Sequence, residues 1–180
     1  MLYSRARPIT TACHAMKFTP PALTDVTALP FLLRRIVPPE YSDENRHMNV
    51  RHYMSLFDDA GYPLIDRIGL TLEFFERTQR GGFDLEHHIH YLNEVLIGDT
   101  TAVYARILGR SAKRMHYMMF MVNETRGNLA STFECVNSHA DLAARRTVAW
   151  PDEIAATLDR LVAESDALGW AAPVCGVIAP

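Results

Sequence analysis

The chain has 180 residues, of which 48% are hydrophobic and 22% are charged, and this is the size and composition of one globular domain. A formal net charge of -3 excludes a global attraction to nucleic acid, and no apolar run approaches the roughly 20 residues that span a bilayer. The three cysteines are far apart and form no CxxC pair, which argues against a disulfide framework or a zinc knuckle and fits a reducing cytoplasm.

Residues 1–29 are expected to form a leader segment. Prolines interrupt this stretch, and it contains no continuous apolar centre of signal-peptide length. Met16 is an alternative start of the chain. We place the main domain at residues 30–168 and a tail at residues 169–180, on the basis of the elements predicted below.

A strand and a long helix are predicted next. "FLLRRIVPPE" opens with a short apolar run that two prolines end, which is typical of a strand leading into a loop. From Val50 to Ile68 apolar residues recur every three or four positions, which predicts a helix of about five turns. Pro63 predicts a kink or two helical pieces, and Gly69 is the expected stop.

Strand-like segments follow a glycine pair, Gly81-Gly82, that we expect to be flexible. They are "FDLEHHIHYL", "DTTAVYARILG", "KRMHYMMFMVN" and "NLASTFECVNS", with "ETRG" as the hairpin turn between the last two. "PDEIAATLDRLVAESDAL" predicts a surface helix. This order predicts one α+β domain in which an antiparallel sheet wraps over one buried helix.

The stretch "YSDENRHMNVRHY", residues 41–53, concentrates acids, amides and histidines just before the long helix. In one interpretation Asp43 only accepts loop N–H groups, as acids before helices commonly do. In the other it is catalytic. Free N–H groups near Asn49 and Val50 would then stabilise an oxyanion, while the carboxylate attacks a carbonyl or deprotonates water.

The same stretch resembles the 4-hydroxybenzoyl-CoA thioesterase-like family of hotdog-fold thioesterases. In that family an Asp-containing loop is followed by His, a hydrophobic residue, Asn, and a Tyr four positions after the Asn. Asp43, His47, Met48, Asn49 and Tyr53 stand in this register here. The similarity extends over about residues 31–155, and "HMNV" with "SHAD" looks most like the betainyl-CoA thioesterase-like branch.

This resemblance implies a hotdog domain that hydrolyses an acyl-CoA thioester without a metal or redox cofactor, coenzyme A being part of the substrate. It implies Asp43 as general base or nucleophile, with His47 and Asn49 organising the loop. It also implies a homodimer, or a dimer of dimers, in which the sheets of two subunits continue and the substrate lies between them. The alternative is a hotdog protein that binds an acyl-CoA or related ligand without turnover.

Arg46 departs from the family pattern, which usually has Gly just before the His. A residue other than Gly puts the tight loop geometry in question. The guanidinium could close the pocket, or pair with Asp43 or with a substrate carboxylate. Arg46 is therefore the feature that favours the non-catalytic alternative.

Further substrate contacts are predicted from position. Val50 and Tyr53 lie in the first turn of the helix, and Asp58 could face a pocket or stay in solvent. Basic residues around one predicted strand turn could bind the CoA phosphates or simply keep the surface soluble. These are Arg110, Lys113 and Arg114.

Three histidines in "EHHIH" invite a metal interpretation. In a strand, His88 and His90 share one face while His87 points to the other, so at most two could meet one ion. We therefore predict no metal site, and expect surface or packed histidines.

Overall fold

The structure is a computed structural model that describes residues 18–180. Most of the predicted leader, including Cys13 and the alternative start at Met16, lies outside the described residues. The boundaries at residues 30 and 168 stay predictions.

The described chain forms four α-helices and six strands arranged in one antiparallel sheet. The sheet order is β1-β3-β4-β5-β2, and the short β6 pairs with β5. In chain order the elements are α1 (Leu23–Thr27), β1 (Phe31–Ile36), α2 (Val50–Arg67), α3 (Leu72–Thr78), β2 (Arg80–Tyr91), β3 (Thr100–Arg110), β4 (Arg114–Asn123), β5 (Asn128–Asp141), β6 (Arg146–Thr147) and α4 (Asp152–Asp166).

The inner face of the sheet surrounds α2. Leu56 and Phe57 are fully buried and pack with inward-facing residues such as Met119 and Phe133, and the Phe57 and Phe133 rings stack at 5.2 Å. Strand side chains alternate between the two faces, so every second residue of β3, β4 and β5 meets the helix. A sheet wrapped around one central helix is the predicted hotdog architecture, which is confirmed.

The outer face of the sheet is covered by chain segments that flank the domain. Val26 and Leu29, before β1, are buried with Tyr104 and Phe120, and Trp170 packs on the same cluster from after α4. Both flanks therefore contribute apolar surface to the fold. The described end of the expected leader is part of this packing.

The long predicted helix is confirmed as α2, which ends at Arg67. It continues through Pro63, so the alternative of two helical pieces is wrong. Burial of one face of α2 offsets the hydrogen bond that a proline cannot donate. Gly69 has a φ of +97° and its N–H donates to Asp66 O, which closes the helix end as expected. No helix in the described part of the chain is long and apolar enough to cross a membrane.

The glycine pair before the sheet is not a flexible linker, and that prediction is wrong. β2 begins at Arg80, and Gly81 and Gly82 pair with β5. A Cβ at Gly82 would lie 2.9 Å from the amide of Asn137, and one at Gly81 would lie 2.4 Å from the ring of Phe75. Close packing requires these glycines.

Candidate active site

The loop between β1 and α2 closes on itself as a small hairpin that presents Asp43. The Asp43 N–H donates to His47 O over 3.1 Å, and the Arg46 N–H donates to Asp43 O over 3.0 Å. The Asp43 Oδ1 atom accepts the Asn45 N–H at 2.9 Å. Asp43 thus has the structural role of a loop acid, but its Oδ2 atom accepts no hydrogen bond from residues 18–180 and stays available for chemistry.

Arg46 occupies the position where the family usually has Gly. Its φ is +65°, which is the left-handed conformation that glycine adopts most easily. Its side chain is exposed, and no ion pair joins it to Asp43 within the described residues. The tight turn therefore forms despite the substitution, with a backbone cost of about 1 kcal/mol.

The hairpin is attached to the segment that precedes β3. The Met48 N–H donates to Val95 O over 2.8 Å, and His47 forms an isolated antiparallel bridge with Leu96. Met48 is 1% exposed, so its side chain anchors the loop in the core. The position of Asp43 therefore depends on the segment around Val95 and Leu96.

Asp99 holds that segment in place. Its Oδ2 atom accepts the Leu96 N–H at 3.0 Å, Asn123 Nδ2 at 2.8 Å and Arg126 Nε at 2.7 Å. Burial alone would raise the pKa of Asp99, but these hydrogen bonds and the Arg126 charge outweigh burial and lower it. Sequence reasoning did not select Asp99. The Gly98-Asp99 pair just before β3 was the available signal.

The N-terminus of α2 lies beside the loop. Asn49 is the N-cap and its side chain accepts the Arg51 N–H at 3.1 Å. The Asn49 N–H donates to Tyr41 O over 2.8 Å, so it cannot also hold an oxyanion. The Val50 N–H has no acceptor within the described residues, which leaves it as the oxyanion donor of the two predicted.

A cleft of about 270 Å³ opens next to this helix end. It is bordered by His47, Val50 and Tyr53, and by residues 91–94 at the end of β2. The Tyr53 hydroxyl donates to Asn93 O over 3.4 Å, and the Tyr53 and Tyr91 rings meet edge to face at 5.2 Å. Burial raises the pKa of both tyrosines, so both remain neutral hydrogen-bond donors at neutral pH.

His47 connects Asp43 to this cleft. The His47 Nδ1 atom lies 3.6 Å from Asp43 Oδ1 and 3.3 Å from Met48 O. The side chain of Asp43 is 12% exposed and that of His47 is 34% exposed, so the carboxylate is recessed behind the more accessible ring. The structure thus groups the predicted residues Asp43, His47 and Val50 at one helix end.

The other predicted contacts lie elsewhere. Asp58 is exposed and borders a second cavity rather than the cleft at His47. Arg110 pairs with Asp159 of α4, with Nε 2.6 Å from Oδ1, while Lys113 and Arg114 are exposed. These basic residues flank the turn after β3, about 33 Å along an 11-residue strand from its start near the Asp43 loop.

The three histidines of β2 follow the alternation of a strand, as predicted. His88 Nε2 and His90 Nε2 are 3.3 Å apart on one face, while the His87 ring lies 5.3 Å from Phe133 on the other. Within residues 18–180, no group of three or more His, Cys, Asp or Glu side chains is arranged to hold a metal ion.

A model of the thioesterase-like superfamily matches residues 37–158, a range that contains the Asp43 loop, α2 and all of β2 to β5. The chain belongs to this superfamily. The resemblance found in the sequence is thereby confirmed.

Two curated relatives are named as thioesterases. The L-carnitine dehydrogenase/betainyl-CoA thioesterase of Agrobacterium fabrum is 33% identical over 124 residues, which is 69% of this chain and 25% of that protein. The betainyl-CoA thioesterase of Pseudomonas aeruginosa is 28% identical over 132 residues, 73% of this chain and 83% of that protein. This chain therefore spans about a quarter of the Agrobacterium protein.

Among solved structures, SAV2348 from Staphylococcus aureus superposes with a TM-score of 0.74 at 27% identity. The match covers 84% of this chain and 96% of that protein, whose structure was determined in complex with CoA.

Proposed function

We propose that this protein is a thioesterase that hydrolyses an acyl-CoA thioester to a free acid and CoA. The proposal rests on the Asp43 carboxylate, whose Oδ2 atom is free among the described residues and whose Oδ1 atom lies 3.6 Å from His47 Nδ1. His47 borders the same cleft as Val50, and the Val50 N–H at the start of α2 has no acceptor in the described chain. A base or nucleophile beside an oxyanion donor is the minimal requirement of acyl transfer.

In this mechanism Asp43 Oδ2 either removes a proton from water or attacks the thioester carbonyl carbon itself. The carbonyl oxygen gains negative charge, which the Val50 N–H and the positive end of α2 stabilise. Collapse of the tetrahedral intermediate breaks the C–S bond and releases the CoA thiolate. If an acyl-Asp43 anhydride forms, water then hydrolyses it. His47 and Asn49 hold the loop, and no metal or redox cofactor is required.

The relatives and the structural neighbour support a CoA substrate. Two relatives are named for betainyl-CoA, and the neighbour binds CoA, so betainyl-CoA is the first substrate to assay. Cys135 and Cys175 are free thiols, which supports a location in the reducing cytoplasm. Lys113 and Arg114 are candidate phosphate contacts, whereas Arg110 would first have to leave Asp159.

We further propose that the protein is a homodimer joined through β2. Among the described residues this strand ends the sheet, and Phe83, Leu85 and Tyr91 on it are 64%, 43% and 50% exposed. A long edge strand with exposed apolar side chains favours pairing with another strand. About a two-fold axis two copies of β2 pair antiparallel, so the Tyr91 end of one lies beside the Phe83 end of the other.

The test is Asp43→Asn, which keeps the shape of the side chain and removes its charge. We expect kcat for a responsive acyl-CoA to fall by at least about a hundredfold, the lower end for a positioned base. Free thiol release measures the rate, and circular dichroism checks the fold. Glu44→Gln is the matched control, because Glu44 is an exposed acid on the same loop.

Near wild-type hydrolysis by a folded Asp43→Asn protein would contradict the assignment of Asp43. A wild-type protein that binds acyl-CoAs tightly but hydrolyses none of a broad panel would instead favour the non-catalytic alternative.

A further inference from the structure

Two aromatic rings stack across the base of the Asp43 loop. Tyr41 ends a single turn of 3₁₀ helix, Pro39–Tyr41, and the centre of its ring lies 3.8 Å from the centre of the His52 ring at an interplanar angle of 5°. His52 is the third residue of α2, and helical side chains lean toward the N-terminus of their helix. Its ring therefore reaches the segment that enters the loop.

The stacked pair joins the two groups that the proposed reaction requires. Asp43 follows Tyr41 by two residues, and Val50 precedes His52 by two. The Asn49 N–H also donates to Tyr41 O over 2.8 Å, so a backbone hydrogen bond and a ring contact hold the same junction. The position of the Asp43 carboxylate relative to the Val50 N–H therefore depends on this junction.

Both rings are half-buried, and Tyr41 also packs against the main core. Partial burial lowers the pKa of His52, and the Arg51 charge lowers it further, which together outweigh the nearby Glu40 carboxylate. The imidazole is therefore neutral at pH 7. It lies on Tyr41 without a charge that would have to remain hydrated.

Neither ring lies in the wall of the substrate cleft. From this region the cleft is bordered by His47, Val50 and Tyr53. Tyr41 and His52 are absent from the described residues that border it. An effect of either ring on the reaction must therefore act through the geometry of the loop.

We propose that His52 is a positioning residue for hydrolysis, which through Tyr41 aligns the Asp43 carboxylate with the oxyanion donor at the start of α2. The inference rests on the proposed thioesterase function and adds a residue to it. Rate depends steeply on such alignment, since a displacement of about 1 Å can cost about a hundredfold. The role requires a flat ring at position 52 and no proton transfer by the imidazole.

The test compares His52→Ala with His52→Phe. His52→Ala removes the ring, and we expect kcat to fall by about tenfold while KM changes by less than about threefold, because the cleft keeps its own residues. His52→Phe keeps a flat ring and should retain at least about half of the wild-type kcat. Release of free thiol from a responsive acyl-CoA measures the rates, and circular dichroism checks the fold.

Ser55→Ala is the matched control for α2 itself. Ser55 is exposed one turn further along the helix, and alanine has a higher helix propensity than either histidine or serine. This control should keep the wild-type kcat.

Tyr41→Leu completes a double-mutant cycle, because leucine keeps apolar packing at position 41 and removes the ring. If His52 acts through Tyr41, adding His52→Ala to Tyr41→Leu should lower kcat by less than about a further twofold.

Hydrogen exchange separates this inference from the proposed function. The Arg46 and Asn49 N–H groups both donate within the loop and its junction, so their exchange reports local opening. Both should exchange about two- to tenfold faster in His52→Ala than in the wild type or in His52→Phe, the range of one aromatic pair. If the wild type hydrolyses none of a broad panel of acyl-CoAs, the thioesterase function fails, and the exchange rates still show whether His52 holds the loop.

Three results would each overturn the inference. One is a folded His52→Ala protein with the wild-type kcat or with wild-type exchange at Arg46 and Asn49. Another is a His52→Phe protein as slow as His52→Ala, which would mean that the imidazole itself is needed. The third is a double-mutant cycle in which the two losses add.

Discussion

Asp99→Ala tests whether the active-site loop depends on the carboxylate beneath it. The substitution removes one acceptor from three donors: the Leu96 N–H, Asn123 Nδ2 and Arg126 Nε. Asp99 is 6% exposed, so water replaces it poorly at the first two. Because Leu96 pairs with His47, we expect both stability and activity to fall.

The magnitude follows from these contacts. A hydrogen bond to a charged group contributes about 1.5–3 kcal/mol, but Arg126 is 39% exposed and can turn to solvent. We therefore expect Asp99→Ala to lower the free energy of unfolding by about 3 kcal/mol, and Asp99→Asn, which keeps one oxygen, by about 1–2 kcal/mol.

The loss should also depend on pH. The folded pKa of Asp99 lies below its ordinary value of 3.8, so the ionised form stabilises the fold above that value. This contribution disappears as the pH falls through the lowered folded pKa. The difference between wild type and Asp99→Asn should thus be full at pH 7 and should shrink below about pH 4.

Urea denaturation at several pH values measures this difference, and steady-state hydrolysis measures the effect on the loop. Glu124→Gln is a suitable control. Glu124 lies on the turn after β4 and pairs with the exposed Arg34 of β1, so this substitution should change stability little. An Asp99→Ala protein as stable and active as Glu124→Gln would refute the assignment of Asp99 as support for the loop.

Two further predictions concern single residues. Arg46→Gly removes the strain of the left-handed backbone but increases the conformational entropy of the unfolded chain, and these two effects oppose each other. The free energy of unfolding should therefore change by less than about 1 kcal/mol, and kcat/KM by less than about threefold. A displaced acid limb of the pH–rate profile would show instead that Arg46 acts on Asp43. The buried Glu134 carboxylate contacts His116 Nε2 at 2.8 Å and accepts the Cys175 N–H of the tail at 2.7 Å. Glu134→Gln weakens both contacts, so the tail should be cleaved faster in limited proteolysis. Unchanged cleavage would mean that other contacts hold the tail.

Local pattern predicted much of the fold. The helical spacing after Val50 placed α2, because one face of a helix around a core must be apolar at every third or fourth position. The Asp43 register predicted the loop at its start, and alternation in "EHHIH" predicted the faces of the β2 histidines. Each of these features depends on residues close in sequence.

What the sequence did not predict depends on residues far apart in the chain. Gly82 was predicted to be flexible. The residue that requires a glycine there is Asn137, whose amide lies on the neighbouring strand β5. Asp99 meets Asn123 from the next strand, and Glu134 meets the Cys175 N–H of the tail. The cavity at Asp58 likewise forms only when α2, α3 and β2 come together.

The position of β2 makes assembly part of the proposed chemistry. The cleft uses Tyr91 at one end of this strand, and the cavity uses Phe83 and Asp84 near the other, about 26 Å apart along it. Within one subunit the strand therefore separates the two regions. In the proposed dimer, antiparallel pairing of two β2 strands would bring unlike ends together, so the Phe83 end of one subunit would lie beside the cleft of the other. The exposed apolar edge that favours pairing is thus the same strand that borders the cleft beside the Asp43 loop.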